Sequence, residues 1–248
     1  IFHAFSEFFS VFVALTIAFV TYFTYVLTKN KYLLFLGLGY FWIGLLDIIH
    51  IQTYPGMNIY DIEGMNPTLT LWILTRFFEA MLFLLAPIMR NRDFSIPKIT
   101  LIFGTYSFFV VLLAMSSSPL MLFDKESGLS FLKIVSEYGI VLILLGALKL
   151  NRMKKSAFQT SIYKAVQIAI VFTIISEALF TLYTDAYGFT NLLGHIFKFL
   201  SFWVLLVSII KISLKDPLKL MAKEASSYNA IPVPAILVSN DGIILQAN

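Results

Sequence analysis

The chain has 248 residues, of which 59% are hydrophobic and 13% charged, with a mean hydropathy of +0.85 and a formal net charge of +4. Soluble domains average about 25% charged residues, so this composition excludes an ordinary soluble domain, and its hydrophobicity excludes a disordered one. The absence of cysteine excludes a disulfide scaffold, thiolate catalysis, cysteine-ligated metal and cysteine-attached haem.

A membrane helix needs roughly 20 mostly apolar residues. In chain order the sequence predicts such spans at 4–27, 32–52, 69–89, 99–117, 129–149, 160–183 and 191–213. Short connections make neighbouring helices antiparallel. One set of loops carries Lys29 and Lys31, then Arg90, Arg92 and Lys98, then Lys149, Arg152, Lys154 and Lys155, then Lys211, Lys215, Lys219 and Lys223. The opposite set carries only Lys125. The positive-inside rule therefore predicts an outer N-terminus and a cytoplasmic C-terminus. The same lysines and arginines account for the pI of about 9.1, through topology and anionic lipid rather than a nucleic-acid-binding face.

Ionisable residues inside a membrane are costly, so each one is a candidate functional residue. His3 and Glu7 begin the first span, and Asp47 and His50 end the second. Arg76 and Glu79 lie in the first half of the third span, and Lys133 and Glu137 in that of the fifth. Glu177 is late in the sixth, and His195 and Lys198 are early in the seventh. All fall in the outer half of the bundle, and only the fourth span contributes none. Lys164, at the inner end of the sixth, is expected to snorkel to the cytoplasmic interface. The paired residues are three or four apart, which places each pair on one helix face. A polar chamber opening outward is expected, with a structural ion-pair network as the plainer alternative. Arg76 with Glu79 or Asp47 is the expected structural pair, and Lys133 with Glu137 reads as a plain interfacial pair.

Histidine is the commonest metal ligand, and a ligating ring is usually oriented by a carboxylate. His3, His50 and His195, with Asp47 or Glu7, form a candidate site for Zn²⁺, Cu²⁺ or Fe²⁺. His50 and His195 on separate helices are also candidates for haem b ligation. Glu7, Asp47, Tyr54, Trp72, Arg76, Glu79, Glu177 and Lys198 complete the candidate ligand-binding set, with no catalytic residue. Thr53 to Met57, with Pro55 and Gly56, reads as a turn and either lids the chamber or is an ordinary helix exit. The phenylalanines read as lipid-facing or core. Gly37, Gly39 and Gly44 thin the second span and admit a close neighbour.

After the seventh span, Pro217 is expected to break the helix. Residues 214–230 then read as a short amphipathic linker helix on which Leu218, Met221 and Ala225 recur at spacings of three and four. Residues 231–248 read as strand, Asp241-Gly242 turn, strand. Two strands alone bury too little to be stable, so the chain is expected to stop inside a larger domain.

That last segment resembles the opening of a PAS domain, an α/β module. Residues 1–213 resemble the third family of membrane-associated sensor domains. The resemblance rests on His3, Glu7, the run Gly44-Leu45-Leu46-Asp47-Ile48-Ile49-His50, then Tyr54, Gly56, Met57, Trp72, Arg76, Glu79, and finally Gly194-His195 with Lys198. Pro55 departs from it, standing where the family tends to have a basic residue. The resemblance implies an all-α, seven-helix membrane bundle of the cytoplasmic membrane, working as the non-catalytic sensory part of a histidine kinase or diguanylate cyclase. It also implies PAS and output domains on the same chain, and a homodimer, because such outputs work in pairs. A metal-dependent intramembrane hydrolase, with Ser6 or Ser10 beside Glu7, is the alternative. A transporter is disfavoured by the odd helix count.

Overall fold

The computed structural model describes residues 2–57, 59–60, 64–124, 126, 128–155, 160–182, 188–229, 236–238 and 244–247. Seven helices are long and apolar enough to cross a membrane: α1 (Phe2–Thr28), α2 (Lys31–Gln52), α3 (Asn66–Met89), α4 (Ile96–Ala114), α5 (Phe131–Met153), α6 (Thr160–Thr181) and α7 (Phe189–Ile210). The expected spans are all present, with ends set by local chemistry. Pro67 fits the first turn of α3, where a missing N–H loses no intrahelical bond. Asn30 and Ser130 cap α2 and α5 by accepting from the N–H of Leu33 and Lys133.

Six helices close a ring. α1 packs on α2, α2 on α3, α3 on α5, α5 on α6, α6 on α7, and α7 returns to α1. α4 stands outside it, against α2 and α3, which fits its lack of internal charge: a helix facing lipid over most of its surface has nothing to pair a charge with. Phe8, Phe12, Phe19 and Phe23 of α1 are exposed on the outer surface of the bundle, as expected for lipid contact. Inside, small residues permit close approach. A Cβ on Gly37 would collide with Thr21, and one on Gly39 with Leu82.

Two features depart from expectation. First, Pro217 does not end the helix. The backbone continues from α7 through a π-helical turn at Lys211–Lys215 into α8 (Asp216–Asn229). A proline removes the N–H that would bond the carbonyl four residues back, here that of Ser213, and its ring crowds that carbonyl. A widened turn relieves this without breaking the helix. Second, the α4–α5 loop contains a two-residue hairpin, β1 (Phe123–Asp124) with β2 (Gly128–Leu129). Asn66 holds it by accepting from the N–H of Leu122 at 2.9 Å and of Phe123 at 2.7 Å, and by donating to the Phe123 carbonyl at 3.0 Å.

At the opposite end, Lys31 Nζ donates to Asp93, joining the α1–α2 turn to the α3–α4 turn. Asp93 is almost fully exposed, so water screens the pair and its contribution to stability is small. Lys164 is exposed, as expected of a snorkelling side chain. Beyond α8, β3 (Ile236–Val238) pairs antiparallel with β4 (Ile244–Ala247). The Asp241-Gly242 turn lies outside the described residues.

Candidate functional site

The polar residues of the spans gather at the end of the bundle where α1 begins. Arg76 of α3 is the hub. Its Nη2 donates to both carboxylate oxygens of Asp47 on α2, at 2.8 and 3.0 Å, and its Nη1 to Glu79 Oε2 at 2.5 Å. The other oxygen of Glu79 accepts from the Tyr40 hydroxyl at 2.9 Å. Asp47 is shared with Lys198 of α7, whose Nζ lies 3.3 Å from Oδ2 and donates to Glu7 Oε2 of α1 at 2.6 Å. Glu7 Oε1 in turn lies 3.0 Å from His195 Nδ1. Four helices are joined through one chain of buried charges. One guanidinium nitrogen spans both oxygens of Asp47 while the other reaches Glu79, which fixes orientation as well as distance.

Trp72, one turn before Arg76, covers this network. Lys198 Nζ is 4.6 Å and the Arg76 guanidinium carbon 5.1 Å from its ring centre, within cation–π range. The same indole meets His50 at 5.4 Å, His195 at 5.9 Å and Phe180 at 4.8 Å, centroid to centroid. These rings wall a small cavity of about 40 Å³. Tyr54, Met65, Thr68, Leu69 and Asn191 complete it together with Lys133 and Glu137. The lining is thus mostly apolar and aromatic with a few polar groups, the usual makeup of a small-molecule site.

His50 Nδ1 lies 3.0 Å from the Thr68 carbonyl. A carbonyl oxygen only accepts, so that nitrogen carries the proton. Lys133 Nζ lies 2.8 Å from Glu137 Oε1 and donates to the Phe180 carbonyl at 2.6 Å. This pair is fully buried and lines the cavity, where the sequence suggested an interfacial pair. Glu177 of α6 is buried too, and its Oε2 has no hydrogen-bond partner among the described residues. It stands within electrostatic range of Glu137, Arg76, Glu79 and Lys133.

The structure therefore joins Glu7, Asp47, Arg76, Glu79, His195 and Lys198 directly, lays Trp72 over them, and puts His50 and Tyr54 in the cavity wall. The side chain of His3 lies outside the described residues. Among the described residues, no three histidine, aspartate or glutamate side chains are grouped as a metal ion requires. Tyr40, Thr68, Phe180 and Asn191 were not singled out from the sequence. Tyr40 had a signal, since it lies two turns before Asp47 on the same face of α2. Thr68 had one as well, a turn before Trp72. Phe180 and Asn191 are placed by the packing of α6 on α7, which periodicity does not reveal.

A multi-pass membrane protein with a buried ionic network beside an aromatic-walled cavity is the class that this fold and site define. The sequence pattern of the membrane-associated sensor domain family MASE3 matches residues 1–217, and the chain belongs to that family. No curated protein and no solved structure matches it.

Proposed function

We propose that this chain binds a small molecule in the cavity between His50, Trp72, Phe180 and His195, and relays its presence along α7 and α8 to domains that follow. The cavity opens outward, with the N-terminus outside the cell and α8 in the cytoplasm, the orientation that the loop charges favour. The setting is the cytoplasmic membrane, with PAS and output domains of histidine kinase or diguanylate cyclase type on the same chain, acting as a homodimer. In this reading β3 and β4 are the opening strands of such a domain.

One observation carries the reading. His195 and Lys198, which touch the cavity wall and the ionic network, sit on the helix whose backbone runs on through the π-turn into α8. A ligand that favours one arrangement of this network over another shifts α7, and only such a difference in affinity moves the equilibrium. The test uses the full-length protein. Trp72→Phe and His195→Gln are expected to change signalling output while membrane insertion and thermal unfolding stay near wild type. Unchanged output in both variants defeats the proposal.

A bound metal or haem is the weaker reading, because among the described residues no three histidine, aspartate or glutamate side chains are grouped as a metal ion requires. Elemental analysis of the purified domain for iron, copper and zinc decides it, near-stoichiometric metal being the result in its favour. The hydrolase reading is weaker still, because the Ser10 hydroxyl donates to the Ser6 carbonyl at 3.0 Å.

A further inference from the structure

Among the described residues, the charges of the network do not balance. Among the described buried residues at this end of the bundle, the cations are Arg76 on α3, Lys133 on α5 and Lys198 on α7. Five carboxylates are buried with these three. Glu7 on α1, Asp47 on α2 and Glu79 on α3 lie against Arg76 or Lys198, and Glu137 on α5 lies against Lys133. Among the described residues, Glu177 on α6 makes no salt bridge and its buried Oε2 has no hydrogen-bond partner. Among the described residues, the other titratable groups facing the network or its cavity are Tyr40 and His50 of α2, Tyr54 beyond α2 and His195 of α7. With every carboxylate ionised and both imidazoles neutral, two negative charges stand without a countercharge among the described residues. Unpaired charge is strongly disfavoured where water is excluded.

The cavity offers the place from which this deficit is filled. Glu137 is in its wall, and Tyr54, Trp72 and Phe180 present aromatic rings to it. Aromatic faces attract cations, whereas an anion entering here would add to the excess. We propose that the site is completed by positive charge taken up through the cavity, as protons or as an ammonium-bearing small molecule, with Glu177 the carboxylate that demands it. This rests on the reading of the cavity as the sensory site, and names the charge of what is sensed.

The test follows thermal unfolding of the purified domain in lipid nanodiscs from about pH 5 to about pH 8. It is repeated near pH 8 with phenethylammonium chloride and with its neutral analogue 2-phenylethanol. If protons fill the deficit, the domain loses stability as pH rises above about 7, where the histidines are neutral in the unfolded chain as well. The folded-to-unfolded ratio then falls about tenfold per pH unit for each proton that only the folded state holds, so about a hundredfold for two. Glu177→Gln, which keeps the shape and removes one of the two charges, halves that slope. If an ammonium group fills it, phenethylammonium raises the midpoint saturably at the higher pH and 2-phenylethanol does not. Glu177→Gln then weakens the effect. A flat pH profile with no preference for the ammonium over the alcohol, in the unaltered domain, overturns the proposal. Equal binding of both probes in the cavity overturns the charge assignment and leaves the sensory reading standing. That reading fails separately, through the output of the Trp72 and His195 variants.

Discussion

Glu7 and Lys198 hold each other at 2.6 Å across 191 residues of sequence. Glu7 begins the first helix and Lys198 is on the seventh, so this pair closes the helix ring at its polar end. Removing one partner of a buried pair leaves the other charge uncompensated, whereas removing both does not. Lys198→Met is therefore expected to destabilise the domain by about 3–5 kcal/mol. The Glu7→Gln, Lys198→Met double variant is expected to lie closer to wild type than the Lys198→Met single variant. Thermal unfolding of the three proteins in detergent measures this coupling.

Arg76 serves two carboxylates at once, so its loss should be the more severe. Arg76→Met is expected to leave Asp47 dependent on Lys198 alone and Glu79 on the Tyr40 hydroxyl alone. Arg76→Lys should rescue only part of the loss, because a single ammonium nitrogen cannot sit against both oxygens of Asp47 and also reach Glu79 as the two guanidinium nitrogens do. Folded yield and unfolding midpoint of the two variants rank them, and equal values would show that charge alone matters.

The cavity wall can be moved without touching a polar residue. A Cβ on Gly194 would come within 2.6 Å of the Phe180 ring, so Gly194→Ala must displace that ring. Overpacking of this kind costs about 1–3 kcal/mol. Gly139 on α5 is the control, because nothing lies within 4 Å of a Cβ built there. Gly139→Ala is expected to be neutral or slightly stabilising, since alanine favours helix over glycine by about 1 kcal/mol. Unfolding midpoints of the two variants check the contrast.

Much of this was legible in the sequence. Seven apolar runs gave the helices, and the spacing of Trp72, Arg76 and Glu79 put all three on one face of α3. Their charge marked that face as inward, because lipid offers them no partner. Asp47 and His50 show the limit of spacing. They are neighbours on α2, yet Asp47 joins the arginine while His50 turns to the Thr68 carbonyl. The order of helices around the ring was not legible, since each apolar stripe fits many neighbours. That order excludes α4 and brings Lys133 and Glu137 of α5 into the cavity wall. The helical course through Pro217 was hidden as well. It depends on a widened turn, and a proline in the sequence does not distinguish that from a break.

The continuity of α7 with α8 yields a test of the relay. Inserting one residue after Ala225 rotates everything beyond it by about 100° about the helix axis. If α8 passes on a rotation or depends on paired faces, the insertion is expected to scramble the output of the full-length protein. A four-residue insertion, close to a whole turn, should restore much of it. Equal output from both would point to a relay that ignores helix phase.

The central claim is that occupancy of the outward-facing cavity changes what the protein signals. This chain has no cysteine, so a single one can be placed at Asn191 in the cavity wall, with a control at the exposed Ser118 after α4. In cells making the full-length protein, a bulky membrane-impermeant maleimide added from outside stands in for a ligand. The account predicts that both sites are labelled and that only the Asn191→Cys adduct shifts output. Complete labelling at that site with unchanged output, or labelling only after the membrane is opened, would contradict it.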